Sequence, residues 1–447
     1  MPQFNMRERQ ITFGNYGHTL NHRQVISPDG QWAAYDTRNE DSHIARTNAI
    51  ELVRIDSGET VRLYQTRTQS HFGPGVGAVS FHPHEPRVVF IHGLESNSIE
   101  NPYSAARRFG ALIDVQNTNA CVHAEARTLH DSQGHRLAET ANRLKGALSG
   151  GTHAHSWNHD GWLSFTYNDA WLERQSQIDK SVRDIRTVGF MVPDMPIAIE
   201  SQPGIQAGEE FGGIYAAFLA AAVTPAAVRD SDEIEYAVEE CWIGTDAAIA
   251  FLGGVRDLRG MLFSEIYFCK LPSSSELRSS LLQCVIGQFD GSGSNASGLF
   301  KPIDNCEQRR LTHTSERKFP GVQGPRNWLV SSPSGKTLYA PMKDDRGVVQ
   351  LFGVDVTTGS IEQITDLEFS IEGQITLNAA GTICGFVCQQ RIVLVIISTG
   401  ETRWLSHASE HRIVGAIHFA DPGRLLFNRR VGIGADGWVQ IFIGETV

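Results

Sequence analysis

Four stretches of this chain share one shape: SPDGQWAAYDTR (27–38), NHDGWLSFTYND (158–169), SPSGKTLYAPMKDD (332–345) and NAAGTICGFVCQQR (378–391). Each opens on a polar-x-x-Gly turn, continues as alternating apolar residues and ends in a polar or charged cluster. FHPHEPRVVFIHG (81–93) and FADPGRLLFNRR (419–430) are looser copies. The turn residues make a tight hairpin and the period-two run after it is a strand. A second pattern, strand–Gly turn–strand, closes the units: IDSGETVRLYQ (55–65), GVDVTTGSIEQITD (353–366), IISTGETRWLSH (396–407) and, without its turn, QRRLTH (308–313). A unit of four strands recurring every ~40–55 residues specifies an all-β fold, the β-propeller.

Units fall near 22–66, 77–126, 153–200, 208–272, 325–366, 372–407 and 413–445, which predicts a seven-bladed β-propeller forming a single domain over 1–447. RQITFG (9–14) matches the end of a unit and is expected to supply the outer strand of the last blade, Ile11 to Phe13 pairing near Val439 to Ile443. Insertions are expected near 126–149, 223–245 and 273–298. Within the second, SDEIEYAVEECW (231–242) reads as a helix with Ser231 as N-cap and acidic residues in its first turn.

In such a blade the inner strand starts on one face of the disc and the second strand returns there. GGTHAHSWNHDGWLSFTYND (150–169) therefore brings His153 and His155, at the start of one strand, to Asn168 and Asp169, at the end of the next. Other units add Asn21, His22, Asp36 and Arg38; His71 and His92; Arg326, Asn327, Lys343, Asp344 and Asp345; and Arg391, Asn428, Arg429 and Arg430. Ser27, Asp29, Ser334 and Gly335 belong to the opposite face. Alternate strand residues point the same way, so His153 and His155 are candidate ligands of a divalent metal (Mn, Zn, Fe or Ni), with His71 and His92 from the neighbouring blade. His82 and His84 read as surface residues of a hairpin.

Composition narrows the function classes. With 41% hydrophobic and 20% charged residues the chain is globular, and a net charge of −11 without basic runs argues against nucleic acid. The start, MPQFNMRERQ, has no apolar signal region, and the most apolar run, Ile214 to Val223, is too short to span a membrane. Seven cysteines without a CxxC pair, Cys384 and Cys388 being the closest two, read as free thiols in a cytoplasmic protein. Gly432, Gly434 and Gly437 have dinucleotide-loop spacing but precede a strand, not a helix. There is no G-x-S-x-G elbow, and the Asn295 sequon has no consequence in the cytoplasm.

SFHPHEPRVVFIHG, GGTHAHSWNHDGWLSFTYND, DEIEYAVEECWIG and MKDDRGVVQLF together resemble the YidR-type bacterial propeller family, over roughly 10–445. The SPDG-type repeats are more remotely similar to TolB-type propellers, and the histidine-bearing face resembles oligogalacturonate lyase, whose H-x-H element His153 and His155 match. Gly150 stands where such lyases carry a metal-binding Gln. The resemblance implies a carbohydrate-active enzyme performing metal-assisted β-elimination on an acidic or oxidised oligosaccharide. Lewis-acid stabilisation of the developing enolate would come from the metal. Arg326, Lys343 or Arg38 would clamp a carboxylate, and Asp169 and Asp344 would orient ligands. Asn21, Asp36, Arg38, Asn168, Asn327 and Asp345 are the expected saccharide contacts. A two-carboxylate hydrolase built on Asp169 and Asp344, or a non-catalytic TolB-like propeller that recruits a protein, are the alternatives.

Overall fold

The computed structural model describes residues 6–117, 120–128, 146–199, 209–282, 302–324, 329–405, 411–432 and 437–446. Seven four-stranded antiparallel sheets form the blades. Blade one runs from Thr19 to Gln65, blade two from Val76 to His123, blade three from Gly150 to Leu219 and blade four from Ala237 to Arg310. Blade five runs from Val330 to Gln363 and blade six from Thr376 to Trp404; blade seven joins Ile413–Thr446 to Met6–Gln10.

The repeated turn has a local cause. Its first polar side chain caps the hairpin: Trp32 N donates to Ser27 Oγ (2.9 Å), Trp162 N to Asn158 Oδ1 (2.8 Å), Thr337 N to Ser332 Oγ (3.1 Å) and Thr382 N to Asn378 Oδ1 (2.8 Å). The glycine three residues on sits at positive φ, 70° at Gly30 and 75° at Gly161, a conformation that costs an L-residue with a Cβ. His82 belongs to the same device. It is buried, and its Nδ1 accepts from the backbone N of His84 and of Glu85 (3.1 and 3.0 Å), so it is a hairpin cap and not a surface residue.

The apolar face of one blade packs on the next. Val79 and Phe90 of blade two meet Ala34 and Leu52 of blade one, while Tyr35 and Val53 of blade one meet Leu426 and Ile443 of blade seven. Closure pairs the two ends of the chain, as expected, but in a different register: Met6↔Thr446 through Gln10↔Phe442. Ile11 adds one backbone bond to Ile441 (2.9 Å), and Phe13 is 69% exposed. The displaced register lets Glu8 form a two-pronged ion pair with the buried Arg429 (both 2.9 Å).

Residues 231–242 are not a helix. Ser231 closes a turn by accepting from Glu233 N, and Ala237–Trp242 is the inner strand of blade four. Val238, Cys241 and Trp242 suit a pleated surface, and the acidic residues tie elements together: Glu235 pairs with Arg183 and Arg256, and buried Glu240 accepts from Thr166. The third unit consequently runs on to Ala216–Leu219 and the fourth starts at Ala237. The observed helices are Ala170–Ile178 and Ser274–Leu282.

Four inner strands carry the same irregularity. The pairing skips between Gly77 and Ser80, His153 and Ser156, Val238 and Cys241, and Val414 and Ile417. Each bulge holds a left-handed residue: Ala78 (φ 55°), Ala154 (60°), Glu239 (56°) and Gly415 (76°). A bulge bends and overtwists a strand, which suits strands converging on one axis.

Glu8→Ala should destabilise the protein by about 3 kcal/mol, because it strands a buried guanidinium. Denaturant unfolding checks this; a variant as stable as the wild type would show that the terminal strand does not lock the ring.

Candidate functional site

At one end of the central channel lies a cavity of about 510 Å³. Asn21 and Arg38 come to it from blade one, Arg108 from blade two, His153, Thr166 and Arg186 from blade three, Glu239 from blade four, and Asn428 and Arg430 from blade seven. Starts of inner strands and ends of second strands do meet here. The hairpins lie at the other end, where Ser332, Pro333 and Asn378 line a second cavity of about 440 Å³.

The four bulge residues Ala78, Ala154, Glu239 and Gly415 all line the first cavity. The bulge decides the fate of the two histidines, because a left-handed Ala154 between them breaks the alternation of the strand. His153 faces the cavity, with its Nδ1 buried and without a hydrogen-bond partner. His155 turns into the protein, where its Nε2 lies 2.9 Å from Thr152 Oγ1, which in turn bonds the buried Glu125. Burial pushes the Glu125 carboxyl up to about 7.

Two arginines flank His153. Arg186 Nε donates to Asn168 Oδ1 (3.1 Å), and Arg108 NH1 donates to Tyr103 OH (3.1 Å). Neither is ion-paired with a carboxylate among the described residues, and Arg108 Nε is buried without a partner. Arg38 and Arg430, by contrast, are neutralised: Arg38 by buried Asp36 (3.1 Å) and by Asp41, Arg430 by Glu40 (2.6 Å). The His153 imidazole is held well below its ordinary pKa, first by burial and then by the charges of Arg108 and Arg186. Burial, reinforced by Arg108, also lowers Arg186. These two guanidiniums make no direct carboxylate ion pair among the described residues, although Asp184 and Glu239 act on Arg186 from nearby, and beside a neutral imidazole they can receive a carboxylate next to a proton acceptor.

The remaining expected residues have other tasks. Asp36 holds the bulge of blade two through Ala78 N (2.8 Å), and Asn21 bonds Ser80 Oγ (2.9 Å). Asn168 bridges Arg186 and Asp184. Asp169 caps the helix Ala170–Ile178 by accepting from Trp171 N and Leu172 N (3.0 and 3.2 Å). His92 is buried, with Nε2 on Tyr64 OH (2.8 Å) and Nδ1 on Gly93 O (2.6 Å), and exposed His71 meets Arg46. Lys343 lies over the Phe319 ring and lines a neighbouring hollow. Asp344 is fixed by Arg346 (2.8 Å), and the Asp345 carbonyl by Lys318 (2.9 Å). Arg326 and Asn327 lie outside the described residues.

Arg108 and Arg186 were not among the expected residues. Both open third strands, which start on the face where second strands end; extending the strand-end argument by one strand would have found them.

The residues do not fit a divalent metal. His153 and His155 diverge, both His92 nitrogens are engaged, and two guanidiniums repel a cation at His153. Among the described residues no three His, Cys, Asp or Glu side chains gather into a ligand set. Nor do Asp169 and Asp344 face each other across a sugar site, since each is tied into its own blade.

Comparisons with known proteins add family and fold. The model of a protein family of unknown function, DUF3748, matches residues 75–204. The uncharacterized protein YidR of Escherichia coli (strain K12) is 30% identical over 444 residues, covering 98% of this chain and 97% of its own. Among solved structures, oligogalacturonate lyase in complex with manganese aligns with a TM-score of 0.50 at 9% identity, covering 100% of this chain and 99% of its own. TolB from Acinetobacter baumannii aligns at 0.35 and 13% identity over 85% of this chain and 65% of its own. At 9% identity the lyase structure speaks for the fold alone.

Asp169→Ala should cost ~1 kcal/mol, the worth of a helix cap, without changing ligand affinity, as paired denaturation and titration would show. A second expectation concerns pH. Burial lowers His18, His123 and His418 to about 4 and His155 to about 3, and lowers His92 and His153 as well. The unfolded chain binds these protons near pH 6.5, so the stability they represent is complete above that pH and is lost as pH falls toward the folded values. Glu125 and Glu240, both raised to about 7 by burial, and Asp36, Glu173 and Asp184, also raised by burial, act in the opposite direction but are fewer. Tm should therefore fall between pH 7.5 and 5.5; a flat profile would contradict the burial of these rings.

Proposed function

This chain belongs to the YidR family, and on that premise we propose that it is a carbohydrate-active enzyme acting on a carboxylated saccharide by β-elimination without a metal. The observation that carries the reading is His153, its ring in the cavity lining and held neutral, beside Arg108 and Arg186. Two guanidiniums bind a carboxylate with directed hydrogen bonds, and their charge stabilises the enolate formed when the adjacent C–H loses its proton.

The His153 imidazole, which lines the cavity, takes that proton. The electron pair of the broken C–H bond becomes a C=C bond and expels the oxygen on the next carbon, which recovers the proton from the imidazolium. The free His153 is a poor base because burial and then the arginines depress it; a bound carboxylate offsets the arginines' charge and raises its proton affinity when substrate is present. Asn168 and Tyr103 orient the two guanidiniums. The manganese described for the lyase neighbour belongs to that protein, and no step here is routed through a metal. The six described cysteines are unbridged, and no helix among the described residues is long and apolar enough to cross a membrane. The free thiols support the reducing, cytoplasmic setting proposed for this chain.

Incubation with a panel of acidic saccharides, followed by ultraviolet absorbance of an unsaturated product, tests the reading. His153→Asn should lower kcat ~10²–10⁴-fold, and Arg108→Met or Arg186→Met should each raise KM and lower kcat. A chelator should leave the rate unchanged. A rate abolished by chelation, or no turnover of any acid sugar, would refute the mechanism.

A further inference from the structure

The inner strand of blade one is interrupted. Thr19–Leu20 pairs with the second strand, and contact resumes only at the Ile26↔Ala33 bridge. The residues between leave the blade and lie across the channel. Asn21 Nδ2 donates to Ser80 Oγ of blade two (2.9 Å), and Phe81 N to the Gln24 carbonyl (2.6 Å). Gln24, at φ 50°, fixes blade three from both sides of its amide: Nε2 donates to Trp157 O and Trp157 N donates to Oε1, both at 2.8 Å. Arg23 reaches furthest. Its guanidinium donates to the Glu240 carbonyl of blade four (2.7 Å) and to the Leu329 carbonyl at the start of blade five (3.5 Å). In a ring of seven, blades four and five stand opposite blade one, so this side chain spans the channel. The two cavities at its ends share only His22 and Gln374 among their lining residues.

We infer that the His22–Arg23–Gln24 crossing is the floor of the site and makes it a blind pocket, so that it accepts a small acid or the free end of a saccharide chain and excludes chain interiors. This specifies the substrate class of the reading above and rests on it. A through channel could thread a polymer; a cavity of about 510 Å³ closed at its base would admit only what fits from one mouth, and of the crossing His22 lines this cavity while Arg23 and Gln24 line the one beyond it. The crossing is tied to four blades by side-chain and backbone hydrogen bonds, and each bond to a backbone carbonyl or amide holds whatever side chain the partner blade carries. Arg23 and Gln24 are thus specificity-determining residues that need not touch the reacting atoms.

Two measurements test this. Calorimetric titration would use a uronic acid, its dimer, its hexamer with free ends, and a long chain blocked at both ends. The hexamer should bind within about threefold of the dimer and the blocked chain at least tenfold more weakly, because the floor permits end-on entry alone. In Arg23→Ser that difference should shrink, and Arg23→Lys, long enough to keep one carbonyl contact, should restore part of it. Blocked chains bound as tightly as the dimer would overturn the inference while leaving the acid site intact. If no acid binds at all, the proposed function fails, and the floor is decided by the second measurement, a crystal structure of the wild-type protein. Arg23 on the carbonyls of Glu240 and Leu329, with the cavities separate, upholds the floor; an open channel with Arg23 turned aside overturns it.

Discussion

The pairing of Met6–Gln10 with Phe442–Thr446 is the constraint on which the rest depends. A single blade cannot bury both of its apolar faces, and each cluster of the core is made between neighbours: Ile417 and Phe427 of blade seven against Val387 and Ile392 of blade six, Tyr35 and Val53 of blade one against Ile441 and Ile443 of blade seven. Without closure the last of these contacts would be an open sheet face and a free edge, both prone to association. Joining strands from opposite ends of the chain makes the ring cooperative. The Glu8–Arg429 pair specifies the register, since sliding the strand by one residue would put Glu8 on the other side of the sheet and leave the guanidinium unpaired.

Closure also fixes the geometry of the channel. Inner strands crowd together at the axis, and the recurring bulge relieves the crowding by turning one residue per strand into the left-handed region. The chemistry of the cavity follows from that backbone event. At Ala154 it separates His153 from His155, sending one ring to solvent-accessible space and the other to Thr152 and Glu125. At Ala78 it presents a backbone amide that Asp36 accepts, which in turn anchors Arg38. Backbone strain of this kind persists only where surrounding structure over-determines it, and here neighbouring blades supply that support.

The blade architecture was legible because it rests on local rules. SPDG, NHDG, SPSG and NAAG each combine a capping side chain with a glycine at positive φ, and both halves of that rule are readable in sequence. Which strand ends face the cavity was legible for Asn21, Arg38 and His153 for the same reason. The rest depended on non-local facts. No periodicity shows that Ala154 is left-handed, so the two histidines looked parallel. Asp169 and Asp344 looked like acid–base candidates because a carboxylate at a strand end and a carboxylate capping a helix or a turn are the same letter. SDEIEYAVEECW misled because Ser231 followed by acidic residues reads as a capped first turn, but the partners of Glu235 and Glu240, Arg256 and Thr166, lie on other strands. The crossing at His22–Gln24 was invisible for a related reason: Gln24 and Arg23 bind backbone atoms, which leave no trace in the sequence of their partners.

On the proposed function, charge balance makes the cavity rather than the surface the place for an acid. The chain carries a net charge of −11, so an approaching carboxylate meets repulsion over most of the molecule, screened beyond ~8–10 Å at ordinary ionic strength. Inside the channel mouth four arginines converge, and buried or flanking carboxylates offset two of them, Arg38 and Arg430. The other two, Arg108 and Arg186, make no direct ion pair among the described residues and lie beside His153, with Asp184 and Glu239 acting on Arg186 from nearby. Keeping two guanidiniums close together costs stability: burial and then Arg108 lower Arg186, and Asp184 and Glu239 offset only part of this. The fold meets that cost through Asn168, Tyr103 and the surrounding strands, and a bound anion would relieve it. A site that is destabilised until it is filled discriminates by charge, because only an anion recovers the repulsion between its walls.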